Sequence, residues 1–326
     1  MINVGIVGYG NLGKGVQYAI EKCSDMKLVG IFSRRNPEDV KTVIKADVYK
    51  MEELLSFKDK IDVLILCGGS ATDLPVQTPA LAENFTTVDS FDTHAKIPEY
   101  FKSVDESAKK GNNVSVISIG WDPGLFSVCR AYFEAFLPKG STATFWGKGV
   151  SQGHSDAIRR IEGVKKAIQY TIPIDAAVEA AREGKAEGLT AREKHLRECF
   201  VVADENADKK KIENEIKTMP NYFADYDTIV HFIEEDEFIK NHSKMNHGGF
   251  VIRNGKTGGE EENSQTLELK LNLGSNPQFT SSVLVAYARA AAKLKKEGKK
   301  GAFSIFDIPP AYLSEKTAEE LRKELL

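Results

Sequence analysis

Three glycines near the start of the chain follow the pattern G-x-G-x-x-G between an apolar stretch and a helical pattern. Gly8 permits a tight turn, Gly10 lets the backbone approach a pyrophosphate, and Gly13 lets the helix pack closely on the strand. The phosphates would then meet the positive end of that helix. Because glycines also mark ordinary loops, the flanking strand and helix are needed for the assignment. The loop predicted to bind a dinucleotide consists of Gly8, Tyr9, Gly10, Asn11, Leu12 and Gly13.

The residues after the second predicted strand indicate which dinucleotide is preferred. An enzyme that prefers NAD usually has Asp or Glu about 20 residues beyond the glycines, where the carboxylate accepts from the ribose 2′-hydroxyl. Here Ser33, Arg34 and Arg35 follow a strand over residues 27–32. A carboxylate would repel a 2′-phosphate, whereas a guanidinium binds it through paired charge-assisted hydrogen bonds. The sequence therefore predicts NADP as the cofactor.

Two aspartates follow two later strands of the same predicted sheet. Asp92 lies after a strand over residues 85–89, and Asp122 lies after one over residues 114–119. Acids at the carboxyl ends of parallel strands suit a cationic substrate group, such as an ammonium that must lose a proton before hydride can leave the adjacent carbon. Each Asp can instead cap a turn or a helix, and this alternative stays open for Asp122, which precedes Pro123 at a helix start.

Other polar and small residues are weaker candidates. Residues 67–70 end a further strand and are assigned to the cofactor site: Cys67, Gly68, Gly69 and Ser70. The segment 146–160 places an aromatic residue, glycines and polar residues at a turn that can close over a polar ligand. Arg197, His247 and Asn276 are suited to gripping a carboxylate, although their spacing does not bring them together. The pairs His195 and Cys199, and His242 and His247, lack further ligands at zinc spacing, so no metal is predicted.

The elements that position these residues alternate between strands and helices over the first 120 residues. Strands over 61–66, 85–89 and 114–119, with helices over 73–84 and 97–110, predict an α/β fold with a doubly wound parallel Rossmann-type sheet. Residues 1–120 form the predicted dinucleotide-binding domain, which residues 300–326 are expected to complete. Residues 121–300 form a second α+β domain, whose strands are expected to make one large mixed or antiparallel sheet. A glycine-rich segment, residues 254–259, is expected to be a hairpin or a mobile loop.

Composition excludes several classes of partner. The 326 residues include 44 basic and 47 acidic ones, and a net charge of -3 gives no signature for binding nucleic acid. No apolar run approaches a membrane span, and the first ten residues lack a basic leader and a cleavage site. The four cysteines lie far apart, which favours reduced thiols. The sequence thus predicts a cytoplasmic protein without a membrane or nucleic-acid partner.

Six sequence blocks resemble one known family nearly from end to end. They are VGYGNLG at 7–13, GIFSRR at 30–35, ISIGWDPGLFS at 117–127, FWGKGVSQGHSDAIRRI at 145–161, CFVVAD at 199–204 and MNHGG at 245–249. The family is the NADP-dependent meso-diaminopimelate dehydrogenases of bacterial lysine biosynthesis. The resemblance is weaker over residues 36–60, 137–141 and 254–264.

The resemblance implies a homodimer, a second domain shared between dimerisation and substrate binding, and a reaction. That reaction is reversible oxidative deamination at the D-centre of meso-2,6-diaminopimelate, giving L-2-amino-6-oxopimelate, ammonia and NADPH. Asp92 and Asp122 match the acids at the reacting amino centre, with Trp121 and Trp146 shaping its pocket. Gln152 and Gly153 match polar and backbone contacts, and Asp156 matches a nearby acid. The residues matching those that hold the distant L-amino acid end are Thr171, Arg197, His247 and Asn276.

Two other functions remain open from the sequence. The first is another NADP-dependent reductase of the aspartate pathway, with a similar first domain and a different substrate. The second is a non-catalytic NADP-binding regulator, whose second domain would contact a protein.

Overall fold

The computed structural model describes residues 1–260 and 262–326. They form two compact units, of which unit 1 comprises Met1–Val128 with Pro277–Leu326 and unit 2 comprises Cys129–Asn276. From Pro277 onward the chain therefore lies in unit 1, whereas the sequence predicts that residues up to 300 belong to the second domain. None of the described helices is long and apolar enough to cross a membrane.

The described residues fold into strands and α-helices, each numbered in chain order. The strands are β1 (Ile2–Val7), β2 (Met26–Ser33), β3 (Val48–Lys50), β4 (Val63–Leu66), β5 (Thr87–Asp89), β6 (Val114–Val116), β7 (Gly140–Trp146), β8 (Gly149–Val150), β9 (Val164–Pro173), β10 (His195–Ala203), β11 (Asp227–Phe232), β12 (His247–Gly258), β13 (Glu262–Leu273) and β14 (Gly301–Phe303). The α-helices are α1 (Asn11–Ile20), α2 (Leu74–Ala82), α3 (Ile97–Lys110), α4 (Leu125–Phe136), α5 (Gln152–Ile158), α6 (Asp175–Arg182), α7 (Ala191–Lys194), α8 (Lys209–Thr218), α9 (Glu235–Asn241), α10 (Asn276–Lys296) and α11 (Ala318–Leu325).

Unit 1 contains the predicted doubly wound parallel sheet. Its strand order is β14-β6-β5-β4-β1-β2-β3, and every neighbouring pair is parallel. Strand β4 has the sequence VLIL and is buried throughout, as expected for a strand covered on both faces. Its Ile65 packs in one core with residues of α1 and α10, while Leu64 and Leu66 pack in a second core with residues of α2 and α3. The Rossmann-type fold is confirmed. The structure adds that β14, from near the end of the chain, pairs with β6 at the edge of this sheet.

Unit 2 is α+β as predicted, but the expectation of one large sheet is wrong. Strands β11-β10-β9-β8 form a mixed sheet, in which β10 and β11 are parallel and the other pairs antiparallel. Strands β13-β12-β7 form a separate antiparallel sheet. The chain changes sheets at Gly147, where a φ of +115° turns it from β7 into β8. Gly149 then pairs with Thr171 of β9, instead of extending β7 alongside β12.

The segment predicted as a glycine-rich hairpin or loop is largely strand. Strand β12 continues to Gly258 and pairs with β13 along its whole length, from His247 opposite Leu273 to Gly258 opposite Glu262. Of the two alternatives, the hairpin is the one observed, and residues 254–258 lie in its first strand and not in its turn.

Candidate active site

The glycine loop connects β1 to α1 and has the close approaches that its sequence indicates. Gly8 has a φ of +89°, and a Cβ built on it would lie 3.1 Å from the Cys67 carbonyl oxygen. A Cβ on Gly13 would lie 2.3 Å from the Gly8 carbonyl oxygen, so the helix and turn pack backbone to backbone. A Cβ on Gly10 would meet nothing within 4 Å. The space beside Gly10 is open, as binding a pyrophosphate there requires.

The other predicted residues of the loop have different environments. Tyr9 is buried; its hydroxyl donates to Gln17 and accepts from the Val43 amide at 2.9 Å. Its side chain therefore ties the loop to α1 and to the segment around Val43. Asn11 is exposed at the first position of α1, and Leu12 is half-buried against the core of unit 1.

The serine and arginines after β2 have distinct contacts. Ser33 is buried, and its Oγ accepts from the Arg35 amide at 3.1 Å. Arg35 Nη2 donates to the Tyr9 carbonyl at 2.8 Å, which ties this segment to the glycine loop. The Arg34 side chain is 74% exposed and pairs with Asp73 at 3.0 Å. Two guanidiniums thus lie at the end of the strand next to β1, where a 2′-phosphate would be expected.

Asp73 was not singled out from the sequence, yet it connects Arg34 to the turn after β4. It accepts from the Gly69 amide at 2.8 Å, and this bond, followed by the Arg34 guanidinium, holds the pKa of Asp73 below its usual value. A Cβ on Gly68 would lie 2.9 Å from the Asp73 Cβ. Burial raises the pKa of the Cys67 thiol above its usual range, which favours a packed thiol over a nucleophile.

Asp92 is exposed and hydrogen-bonds with Ser70 in both directions. The Ser70 hydroxyl donates to Asp92 Oδ1 at 2.5 Å, and the Asp92 amide donates to Ser70 Oγ at 2.9 Å. The bonds join the turns after β4 and β5, which are neighbouring strands. Ser70, which the sequence assigns to the cofactor site, and Asp92, which it assigns to the reacting amine, therefore hold each other in place.

Trp121 and Asp122 lie in the connection from β6 to α4. Trp121 is 8% exposed and packs edge-on against Phe126, with ring centroids 5.2 Å apart. Asp122 is half-buried. The first amides of α4, those of Leu125 and Phe126, donate to the carbonyls of Gly120 and Trp121. Since β5 and β6 are neighbours, Asp92 and Asp122 follow adjacent strands of one sheet.

In unit 2 the structure brings four of the predicted residues together. Thr171 Oγ1 accepts from Arg197 Nη1, on strands that pair Thr171 directly with Arg197. The Trp146 amide donates at 3.0 Å to the ring of His195, two residues before Arg197. A Cβ on Gly149 would lie 2.4 Å from the His247 ring. The chain reversal at residues 147–149 thus gathers Trp146, Thr171, Arg197 and His247.

Arg197 is buried and incompletely hydrogen-bonded. Its guanidinium lies 3.9 Å from the centroid of the Tyr226 ring, and its Nε has no hydrogen-bond partner. The Oε1 of Gln169, on the strand beside it, is buried without a partner as well. Buried polar atoms are rarely left unpaired, so these two mark a place where polar groups of a ligand can complete the hydrogen bonding.

His195, Gln169 and Tyr226 are additions to the predicted set. His195 is 3% exposed, and burial, aided by the Arg197 charge, lowers its pKa to about 4. It is therefore neutral at pH 7 and accepts from Trp146 through Nε2. A sequence signal existed, because side chains alternate along a strand and His195 lies on the same face of β10 as Arg197.

The remaining predicted residues of unit 2 are less closely grouped. Gln152 is exposed and donates to Met245 Sδ at 3.4 Å, while the Asn276 amide donates to the Met245 carbonyl at 2.9 Å. Gly153 is exposed. Asp156 is exposed and paired with Arg159, the residue that follows α5.

The fold and the glycine loop define the class of protein: a Rossmann-type dinucleotide-binding protein with an additional α+β unit. Residues 120–275 match a family described as "Diaminopimelic acid dehydrogenase C-terminal domain". A meso-diaminopimelate D-dehydrogenase of Lysinibacillus sphaericus is 61% identical over 325 residues, covering 100% of this chain and 99% of that protein.

Solved structures agree with this match. A six-substitution mutant of the "meso-dapdh" of Clostridium tetani, crystallised with DAP, is 58% identical with a TM-score of 0.94 over 100% of both chains. An engineered D-amino acid dehydrogenase bound to NADP+ is 45% identical with a TM-score of 0.88, covering 100% of this chain and 99% of that one. This chain belongs to the meso-diaminopimelate D-dehydrogenase family. The resemblance shown by its sequence blocks is thereby confirmed.

Proposed function

We propose that this chain is an NADP-dependent amino acid dehydrogenase of diaminopimelate and lysine biosynthesis. It catalyses the reversible oxidative deamination of meso-2,6-diaminopimelate at its D-centre, giving L-2-amino-6-oxopimelate, ammonia and NADPH. The observation that carries the proposal is 61% identity to a meso-diaminopimelate D-dehydrogenase over the full length of this chain.

The residues of unit 1 fit NADP. Residues 8–13 would hold the pyrophosphate, with the open space beside Gly10 admitting it. Ser33, Arg34 and Arg35 would hold the 2′-phosphate, and residues 67–70 would complete the cofactor site. NADP, when bound, supplies the acceptor for hydride.

Asp92 and Asp122 are proposed to act at the reacting amino group. Asp92 is an exposed carboxylate held by the Ser70 hydroxyl, so it can attract an ammonium and accept a proton without losing its position. Five further residues are proposed to bind the substrate: Trp121, Trp146, Gln152, Gly153 and Asp156. Whether one acid is the base or both act electrostatically is answered by the pH dependence of kcat/KM for Asp92→Asn and Asp122→Asn. The variant that loses the base loses the lower pKa of the profile.

The four residues Thr171, Arg197, His247 and Asn276 are proposed to hold the distal L-amino acid end. Support comes from Arg197, whose buried Nε has no partner and whose fork geometry suits a carboxylate. Fixing the L-centre determines which hydrogen of the opposite carbon can face the nicotinamide. Positioning of this kind selects the meso isomer over the LL and DD isomers.

One assay tests the proposal. Purified protein is mixed with NADP+ and meso-, LL- or DD-diaminopimelate, and nicotinamide absorbance and ammonia release are followed together. Formation of both with the meso isomer is expected. Turnover of a different substrate of the aspartate pathway, with none of the meso isomer, would identify another reductase. NADP+ binding without turnover would identify a regulator.

We propose further that the protein is a cytoplasmic homodimer. All four cysteines are free thiols, as a reducing compartment requires. In unit 2, the exposed rings of Tyr132 and Phe136 stack 5.9 Å apart and offer an apolar surface for a second copy. Sedimentation of the purified protein should give twice the chain mass, and Phe136→Glu should shift it toward a monomer.

A further inference from the structure

A carboxylate in unit 1 is completely buried and carries four hydrogen bonds. It belongs to Asp89, the last residue of β5, which is 0% exposed. Oδ1 accepts from the backbone amides of Phe91 at 3.0 Å and Ser118 at 3.1 Å. Oδ2 accepts from the hydroxyls of Tyr100 at 2.5 Å and Thr78 at 3.2 Å.

The two amides bound by Oδ1 belong to the two segments that carry the acids proposed to act at the reacting amine. Phe91 directly precedes Asp92. Ser118 begins the stretch that leads to Trp121 and Asp122. A single oxygen atom therefore joins the turn after β5 to the turn after β6. The backbone adds to this link, since the Asp89 carbonyl accepts from the Ile119 amide at 2.8 Å.

The turn after β6 needs such a link because its backbone is strained. Ser118 has a φ of +59°, in the left-handed region, which costs a residue other than glycine about 1 kcal/mol. Its own hydroxyl oxygen is buried without a hydrogen-bond partner. The conformation is therefore held from outside, by the bond from its amide to Asp89.

The other two donors orient the carboxylate itself. Tyr100 lies on α3 and Thr78 lies on α2. The Tyr100 ring also stacks on Phe91, with centroids 4.1 Å apart, so the same tyrosine fixes both the acceptor and one of its donors. Removing the hydroxyl of Tyr100 or of Thr78 takes away a bond to Oδ2 and leaves both amide bonds to Oδ1. Variants of these two residues can therefore test the orientation of the carboxylate separately from its link between the two turns.

We propose that Asp89 is a positioning residue, which sets the placement of Asp92 and of the Trp121–Asp122 segment through Oδ1. The inference rests on the proposed function, in that these acids act at the reacting amine. Accepting the two amides requires an oxygen at Oδ1 and does not require a charge. Asparagine can supply that oxygen, while its amide nitrogen donates to Tyr100 and Thr78 in place of Oδ2.

The test compares Asp89→Asn with Asp89→Val, which keeps a strand-forming side chain without an acceptor, and with Tyr100→Phe as the matched control. For Asp89→Val we expect kcat with meso-diaminopimelate to fall about 100-fold, because displacement of reacting groups by about 1 Å has effects of this size. Its dissociation constant for NADP+ should change by less than about tenfold, because residues 8–13 and 33–35 are not attached to Asp89 and only Ser70 of the cofactor site is bonded to Asp92. Asp89→Asn and Tyr100→Phe should keep kcat within about threefold of wild type.

A purely structural role predicts a different result. In that case Asp89→Val lowers the thermal midpoint and the yield of folded protein, while kcat per folded molecule stays within about threefold of wild type, and this result overturns the proposal. If Asp89→Val is insoluble, the double variant with Ser118→Gly is used, because glycine adopts a positive φ without strain. Asp89→Asn gives a second way to overturn the proposal. Its side-chain oxygen can still accept both amides, so a loss of kcat above about 30-fold at an unchanged thermal midpoint would show that positioning through Oδ1 is not what activity requires.

Hydrogen exchange separates failure of this inference from failure of the proposed function. Asp89→Val, or the double variant, should speed exchange at the amides of Phe91 and Ser118 and leave residues 4–13 unchanged. A wild-type protein inactive on meso-diaminopimelate would overturn the function, and the exchange pattern would still test the positioning. Unchanged exchange at both amides overturns the positioning whatever the substrate.

Discussion

Replacing Arg34 and Arg35 with glutamine is expected to weaken NADP+ binding about 10-fold to nearly 1,000-fold more than NAD+ binding. A hydrogen bond to a charged group contributes about 1.5–3 kcal/mol, and this range applies to Arg35, whose guanidinium is partly ordered by its bond to the Tyr9 carbonyl. Arg34 is 74% exposed and already paired with Asp73, so its share is at most about 1 kcal/mol. Together they give about 1.5–4 kcal/mol, and about 1.4 kcal/mol corresponds to a factor of ten.

The two single variants should differ in a way that follows from their contacts. Arg35→Gln also removes the hydrogen bond to the Tyr9 carbonyl of the glycine loop. It should therefore weaken NAD+ binding as well, by about 0.5–1.5 kcal/mol, or roughly two- to tenfold. Arg34→Gln has no such bond to lose and should affect NADP+ alone. Because Arg34 is exposed, its effect should shrink as salt is raised.

The measurement is a titration of the protein's tryptophan fluorescence with NADP+ and with NAD+, at low and at physiological ionic strength. Arg322→Gln, which removes an exposed arginine of α11, is the matched control for a change of charge. Equal losses for the two cofactors in the double variant would refute the assignment of this segment to the 2′-phosphate.

Three further predictions concern the substrate site, the glycine loop and acid stability. Arg197→Met should raise the KM for meso-diaminopimelate about 10- to 100-fold and relax the exclusion of substrates without a distal carboxylate; an unchanged substrate profile would remove this residue from the site. Gly10→Ala should keep the thermal midpoint within about 2 °C and should weaken NADP+ binding more than about tenfold. Gly13→Ala should instead lower the free energy of unfolding by about 1–3 kcal/mol, because its Cβ would lie 2.3 Å from the Gly8 carbonyl oxygen. Similar thermal midpoints for the two alanine variants would contradict this contrast. The pKa of about 4 for His195 lies below the ordinary 6.5, so the unfolded chain binds a proton that the folded protein does not. The free energy of unfolding, measured by urea titration, should therefore fall as the pH is lowered from 6.5 to 4, by up to about 3 kcal/mol from this group. His195→Gln should make this fall smaller.

The first unit could be predicted because its information is local. Each strand of a doubly wound sheet is followed by a helix that returns the chain to a neighbouring position, so sequence order nearly determines strand order. Helix α3 illustrates this: Pro98 at its start, two lysines in its last turn and Gly111 after it delimit the helix at the bounds predicted. The carboxyl ends of such strands lie along one edge, which is why Asp92 and Asp122 could be placed after two different strands of one parallel sheet without any coordinates.

The second unit was harder because its pairings join distant residues. Strand β7 ends at Trp146, which pairs with Gly249, while Gly149 only three residues later pairs with Thr171. Nothing in the hydrophobic pattern says that the chain leaves one sheet for another between these positions. The signal is the glycine between them, whose positive φ is known only from the fold.

Asp89 and Asp92 show why the acids at a strand end cannot be ranked from sequence. They lie three residues apart in the same segment, and either could be the group that meets a ligand. Three of the four donors to Asp89 come from residues 11 or 29 positions away, so its burial depends on how two helices and a turn pack. The four hydrogen bonds fix the Asp89 carboxylate, and the same bonds fix the turns and helices that supply the donors. Asp92, exposed and held by one serine, keeps lone pairs open to solvent, which is the condition for exchanging a proton with an arriving amine. Asp89 is thus suited to positioning Asp92, and of the two only Asp92 is suited to exchanging a proton with the substrate.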